Sequence, residues 1–374
     1  MEYRNFYKTI LSWSAAFAVL FHLASCASTK SLSNQGLSDR MIYSIDSVCM
    51  LQLNNAQFPG LAIAVVQGEK NIWSKGYGYS NIENKTPVDP REDLFRVGSV
   101  SKTITAAALA RLTDRNQIHL DAPINTYYKE CPVDKQNLTL RQLGGHLTGI
   151  RHYKGIEFLS NIHYTNVIDP LEVFIHDTLL FEPGTDFNYT TYGWTLISAV
   201  MEKAMKKPFL EIINEEIRDP LQINDLKADQ KDSTGFQRVT FYEYRNGMMI
   251  ISPTVDNSNK WAGGGFLCSA EDLGKFGYAV AKPGLMKEKS LDMFTQSQTT
   301  SSGEQTNYGI GFRVGKDDDG RLWYGHGGGS AGGTTMLLIY PKQELAIVTL
   351  VNLSSAEMDD LAWKIGKIVM KNEK

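Results

Sequence analysis

Two apolar runs set the strongest limit on what this chain can fold into. Leu61-Ala62-Ile63-Ala64-Val65-Val66 lies near one end, and Leu345-Ala346-Ile347-Val348-Thr349-Leu350-Val351 near the other. Pro59-Gly60 precedes the first run and Gly68-Glu69-Lys70-Asn71 turns the chain after it, so it reads as a buried strand. Ile72–Tyr79 follows as a second strand, and Tyr308–Val314, Leu322–Tyr324 and Thr334–Tyr340 lead into the last run. Between the two ends the signals are mostly helical: Ser99–Arg115, Thr139–His146, Pro170–Thr178, Tyr192–Met205, Pro208–Ile217 and Ser269–Ala279. A short β excursion over Phe236–Ile251 turns at Arg245-Asn246-Gly247. Asp39–Asn54 and Glu357–Met370 read as amphipathic helices at the outer ends. Strands at both ends with helices between predict an α+β fold. An antiparallel sheet is built from both chain ends and flanked by helices, with a mainly helical region inserted. The sheet part falls at about 39–100 and 285–372, and the insert at about 101–284.

One tetrapeptide inside this frame carries chemistry. Phe95-Arg96-Val97-Gly98 leads from a strand into Ser99-Val100-Ser101-Lys102, and the helical run Thr103–Arg111 follows at once. It is the only S-x-x-K in the chain. Positions three apart share a helix face, which sets the Lys102 amine beside the Ser99 hydroxyl. A desolvated, neutral lysine can take the serine proton and turn a poor nucleophile into a good one. Unpaired N–H groups at the helix start favour developing negative charge.

Two later segments supply partners. Phe181–Gly193 carries Tyr189 after a Pro183-Gly184 turn and just before a helix; beside a cation its pKa is expected to fall, allowing a proton shuttle near neutral pH. Trp323–Gly333 holds His326-Gly327-Gly328-Gly329 at the edge of a C-terminal strand, where glycines present N–H groups to an oxyanion. Gly328-Gly329-Ser330-Ala331-Gly332 also fits a G-x-S-x-G elbow, but a strand follows Ser330 where the elbow needs a helix. No histidine follows His326.

With these elements in chain order, the sequence resembles the serine β-lactamase/penicillin-binding-protein superfamily, in its class C-like branch. The likeness spans roughly Gly60 to Asn352 and takes in Lys75–Ser80, His146-Leu147-Thr148-Gly149-Ile150 and Gly264-Gly265-Phe266. Thr148–Tyr153 and Val255–Phe266 resemble more particularly its animal mitochondrial branch, whose members are proteases. The resemblance implies that Ser99 is the acylated nucleophile and Lys102 its proton partner. Tyr189 would protonate the leaving group and activate the deacylating water, and the Ser99 and Gly329 N–H groups would form the oxyanion hole. Two departures bear on substrate. The family's Y-x-N is Tyr189-Thr190-Thr191 here, and its K-T-G is His326-Gly327-Gly328. His326 then replaces a fixed cation, and its protonation is expected to supply that charge as pH falls. His146 is expected to pack or cap a helix. His119, His152, His163 and His176 are expected at the surface, while Arg151 and Trp261 read as core or cleft rim.

The expected function is an exported serine hydrolase that forms an acyl-enzyme from a peptide, a D-amino-acid amide or an ester. The alternatives are a β-lactamase or D-Ala-D-Ala carboxypeptidase, and a catalytically idle protein that binds cell-wall peptides or acts as a scaffold. No cofactor or metal is expected: there is no H-E-x-x-H and no C-x-x-C. A net charge of -3 without a basic block argues against nucleic acid as a partner. The N-terminus reads as a leader. Arg4 and Lys8 precede an apolar run over Ile10–Leu23, ending in Leu23-Ala24-Ser25-Cys26, which resembles a bacterial lipobox. A lipoprotein signal over residues 1–25, lipidation at Cys26 and a polar tether over 26–38 would hold the enzyme to a membrane of the bacterial cell envelope. Cys49, Cys131 and Cys268 then remain as buried thiols, with one disulfide open as an alternative.

Overall fold

The computed structural model describes residues 37–371 apart from 56, 69 and 359. The leader, Cys26 and residues 26–36 of the tether lie outside the described residues.

Twelve strands are found among these residues. They are β1 Gly60–Gln67, β2 Lys70–Asn81, β3 Thr86–Pro87, β4 Phe95–Arg96, β5 Lys227–Ala228 and β6 Tyr242–Arg245, then β7 Met248–Ile251, β8 Phe266–Cys268, β9 Arg313–Lys316, β10 Leu322–Ser330, β11 Gly333–Tyr340 and β12 Leu345–Val351. Seven of them form one antiparallel sheet in the order β3-β2-β1-β12-β11-β10-β9. The two apolar runs are neighbours in it, with Leu61 opposite Val351 and Ala64 opposite Val348. The fold is the expected α+β architecture, with one sheet made from both chain ends.

The helices are α1 Asp39–Asn55, α2 Ser101–Asp114, α3 Leu140–Gly144, α4 Tyr192–Met205, α5 Phe209–Ile213, α6 Asp219–Leu221, α7 Trp261–Gly264, α8 Ala270–Ala279, α9 Glu288–Thr295 and α10 Leu361–Met370. Alternation along β1 explains why its sequence is apolar throughout. Leu61, Ile63 and Val65 pack with Ile45 and Cys49 of α1 and with Leu361, Ile365 and Val369 of α10. Ala62 and Ala64 face the opposite side, in the larger core with α2, α4 and α8. A strand covered on both faces has no solvent side to be polar. Each fully buried Leu, Ile or Val contributes about 1.5–3 kcal/mol.

Several elements differ from expectation for local reasons. Over Pro170–Thr178 only a 3-10 segment, Asp169–Val173, forms. The Arg151 guanidinium takes the Val173 carbonyl at 2.8 Å, which an extending helix would need. The helix expected over Pro208–Ile217 widens to a π turn at Asn214–Arg218, with the Asp219 N–H reaching the Asn214 carbonyl just before Pro220, which has no N–H to donate. The strand expected from Tyr308 begins only at Arg313, since Gly311 bends the chain with φ +81°. Helix α9 was not anticipated, and α8, placed in the insert, packs directly on β1 and β12.

Candidate active site

Strand β4 feeds a 3-10 turn, Gly98–Val100, that runs straight into α2. Ser99 therefore sits in the tighter turn rather than in the α-helix itself, half-buried at the wall of a cavity of about 470 Å³. Helix α2 is buried along nearly its whole length, and Lys102 is fully shielded from solvent. Its Nζ lies 3.1 Å from Ser99 Oγ and 3.2 Å from Thr191 Oγ1, and donates to the Gly263 carbonyl. Burial, reinforced by the charges of Lys260 and Arg313, holds the Lys102 pKa well below the usual lysine range. A neutral amine has two hydrogens and one lone pair. Gly263 and Thr191 can take the hydrogens, which leaves the lone pair for the Ser99 hydroxyl.

Glycines bring the candidate oxyanion donors together. An added Cβ on Gly328 would stand 2.1 Å from the Val97 carbonyl and 3.2 Å from Ser99 N; on Gly98 (φ +51°) it would meet Gly329 N at 2.8 Å. Only bare backbone lets β10 lie against the nucleophile turn. Gly329 is exposed on the cavity wall, so it and Ser99 border one space. Gly328 is buried and does not line that cavity, so its expected place in the oxyanion and substrate contacts is corrected to close packing on Val97. Beyond Gly325 the glycine run continues as strand through Ser330.

Tyr189 completes the site. The Lys102 Nζ lies 4.9 Å from its ring centre, and its hydroxyl bonds Ser99. Its pKa does not fall as expected. Burial pushes it up to about 12, and neither the Ser99 bond nor Arg313 reverses that. The resting group is a neutral phenol. His146 holds the segment on both sides of it: its carbonyl accepts Asn188 N–H at 3.0 Å, and its Nδ1 accepts Thr190 N–H at 3.2 Å. The imidazole lies 4.4 Å from the Tyr189 ring, at a left-handed φ of +62°. Thr191, at the last position of the family's Y-x-N, lines the cavity, and its hydroxyl serves Lys102.

His326 departs most from expectation. Its side chain is buried, bonded at Nε2 to the Tyr308 hydroxyl (2.9 Å) and at Nδ1 to the Gly327 carbonyl. A carbonyl only accepts, so Nδ1 carries the proton and Nε2 accepts from Tyr308. Burial presses its pKa well below the usual histidine range. The ring is a neutral support beneath Tyr189, 5.9 Å away, and does not supply a cation. An exposed cation stands nearby instead: the Arg313 guanidinium lies 5.7 Å from the Tyr189 ring centre.

The Beta-lactamase family profile matches residues 48–369 of the chain. The chain belongs to the beta-lactamase family. Among relatives of this family member is the human mitochondrial serine beta-lactamase-like protein LACTB. It is 28% identical over 380 residues, covering 76% of this chain and 69% of LACTB. A D-stereospecific amidohydrolase from Streptomyces sp. has a similar structure: TM-score 0.71, 22% identity, covering 87% of this chain and 98% of the other. So does a D-amino acid amidase from Ochrobactrum anthropi SV3 complexed with D-phenylalanine: TM-score 0.76, 17% identity, 90% and 100% covered.

This beta-lactamase-family chain also carries site residues that sequence reasoning missed. His152, expected at the surface, is half-buried on the cavity wall. Lys260 lines the same wall, 4% exposed, with Nζ donating to the Phe158 carbonyl at 2.8 Å. Both lie in the stretches with the more particular resemblance, which was the available signal. Arg151 is buried against Glu157 and Asp177, and anchors the loop that carries His152. His119, His163 and His176 are exposed, and Trp261 is core. Cys49, Cys131 and Cys268 are buried free thiols, and burial pushes the Cys49 pKa up to about 12. Among the described residues no three His, Cys, Asp or Glu side chains converge as a metal site. No described helix is long and apolar enough to cross a membrane.

Proposed function

We propose that this family member hydrolyses amide or ester bonds of peptide-like substrates through an acyl-enzyme on Ser99. The observation that carries the reading is a fully buried Lys102 amine 3.1 Å from Ser99 Oγ. Lys102 takes the Ser99 proton as Oγ bonds to the substrate carbonyl carbon, and the oxyanion forms against the N–H groups of Ser99 and Gly329. The C–N or C–O bond then breaks. The neutral Tyr189 phenol gives its proton to the leaving group and regains one from the Lys102 ammonium. Water then attacks the acyl carbon, loses its proton to the same pair, and releases Ser99. Labelling of wild type by a fluorophosphonate, lost in Ser99→Ala, tests the mechanism; a Ser99→Ala protein that still labels would refute it.

A second reading is favoured by Arg313. Its exposed guanidinium beside the leaving-group acid would receive a substrate carboxylate, as in a carboxypeptidase. Peptides with a free C-terminus should then be cleaved faster than their amidated forms. Equal rates would leave only the broader hydrolase reading. We also propose that the N-terminal segment anchors this enzyme to a membrane of the cell envelope through Cys26.

A further inference from the structure

Arg313 and His326 do not line the cavity at Ser99. With the leaving group departing past Tyr189, that cavity receives the acyl half of the substrate. Two polar groups on its wall, His152 and Lys260, exchange no proton in the steps above.

The His152 Nδ1 accepts the Thr191 N–H at 3.4 Å. A neutral imidazole carries one ring proton, so that proton is on Nε2, which has no hydrogen-bond partner among the described residues. The ring is wedged 4.3 Å from Tyr153 and 5.9 Å from Tyr189. Burial and the neighbouring Lys260 charge lower its pKa to about 4, so it is an uncharged donor at neutral pH. Lys260 Nζ lies 5.2 Å from the Tyr153 ring centre and 4.8 Å from that of Phe158. The acid that influences it, Asp229, is committed to Arg96 at 2.7 Å. The carboxylate on the cavity wall, Glu243, is paired with Arg245 at 2.6 Å. An acyl group bearing a free α-ammonium would thus meet a second cation and an N–H donor, with no free carboxylate to receive it. An N-acylated group would present a carbonyl oxygen there instead.

We propose that the acyl-side cavity selects N-acylated, peptidyl groups over acyl groups with a free α-amine. His152 Nε2–H receives the amide carbonyl, and the Lys260 ammonium excludes an α-ammonium. The proposal rests on the serine-hydrolase reading and adds a substrate class to it. The test uses paired benzyl thioesters of N-acetylphenylalanine and phenylalanine, D and L, with thiol release as readout and fluorophosphonate labelling of Ser99 in parallel. The wild type should favour the acetylated member by at least about tenfold in kcat/KM. His152→Ala should lower the acetylated-to-free-amine ratio of kcat/KM about 10- to 100-fold. His152→Gln keeps an N–H near the same place and should restore most of the loss. Lys260→Met should raise the ratio of free-amine to acetylated turnover about tenfold, whatever its shared effect on both through Lys102. A wild type without preference overturns the proposal. So does a His152→Ala protein that slows both thioesters equally, since the ring would then only be holding Thr191. Absence of labelling in the wild type defeats the hydrolase reading itself; labelling with an unchanged ratio defeats only this one.

Discussion

Adding one methyl group at Gly328 should disable the site while the same change at Gly327 should not. The methyl of Gly328→Ala would sit 2.1 Å from the Val97 carbonyl, a separation that real Cβ atoms do not reach. Restoring contact requires β10 and the nucleophile turn to part by about 1 Å, a misplacement that can cost roughly 100-fold in rate. The two oxyanion donors sit on opposite sides of that seam, so parting it removes one of them. Loss of one donor costs about 3–4 kcal/mol of transition-state stabilisation. At Gly327 the added methyl would meet Met336 Sδ at 3.8 Å and the Thr335 carbonyl at 3.9 Å, which is ordinary contact. Acylation of purified protein by a p-nitrophenyl ester, followed by stopped flow, reads the difference. Gly328→Ala should fall by about 100- to 1000-fold, and Gly327→Ala should stay within about threefold. Overpacking should also cost Gly328→Ala about 1–3 kcal/mol of stability, measured by urea unfolding. A Gly328→Ala enzyme acylated within threefold of wild type would refute the idea that bare backbone contact builds the oxyanion hole.

Other outcomes follow from the electrostatics and from the leader. Arg313 lowers the pKa of both Lys102 and Tyr189, so Arg313→Gln should move both limbs of the pH–rate profile to higher pH; an unmoved profile would count against its place beside the pair. His146 and His326 are buried and neutral, with pKa values well below 6.5. The unfolded chain binds protons there as pH falls below about 6.5 while the native state does not. Stability should therefore drop by up to about 1.4 kcal/mol per pH unit for each ring. Urea midpoints that stay constant from pH 7 to pH 5 would contradict this. Cys26→Ser should shift the expressed protein from the detergent-rich to the aqueous layer in phase separation, and equal partitioning would exclude a lipid anchor at that cysteine.

Much of the architecture was legible because it depends on local pattern. The runs at 61–66 and 345–351 are apolar at every other position and, Thr349 apart, again between, which fits a strand covered on both faces. Ser99, Lys102 and Tyr189 stand out as candidates because each sits at a turn or helix start with a short motif around it, and Gly329 because it belongs to a glycine run in a strand. Charge states were not legible. For Tyr189 and His326, residue type and neighbours in sequence suggest one pKa behaviour, but burial dominates both, and rings remote in sequence, Tyr308 against both and His146 against Tyr189, pack around them in space. His152 and Lys260 lie in irregular segments without periodicity, so nothing in the spacing of their neighbours reports which way they face.

Because Leu61 pairs with Val351, the first long strand lacks a neighbour on that edge until the last strand has been made. Pairings of such separation are slow to form, and they leave an unpaired edge exposed meanwhile. Ser99 comes with the early half of the chain and Gly329 with the late half, so the oxyanion pair exists only once the two ends have met. A refolding chain with its helices formed but its sheet open should be inert toward acylating probes. The return of labelling at Ser99 would then time a single event, the closing of β1 against β12.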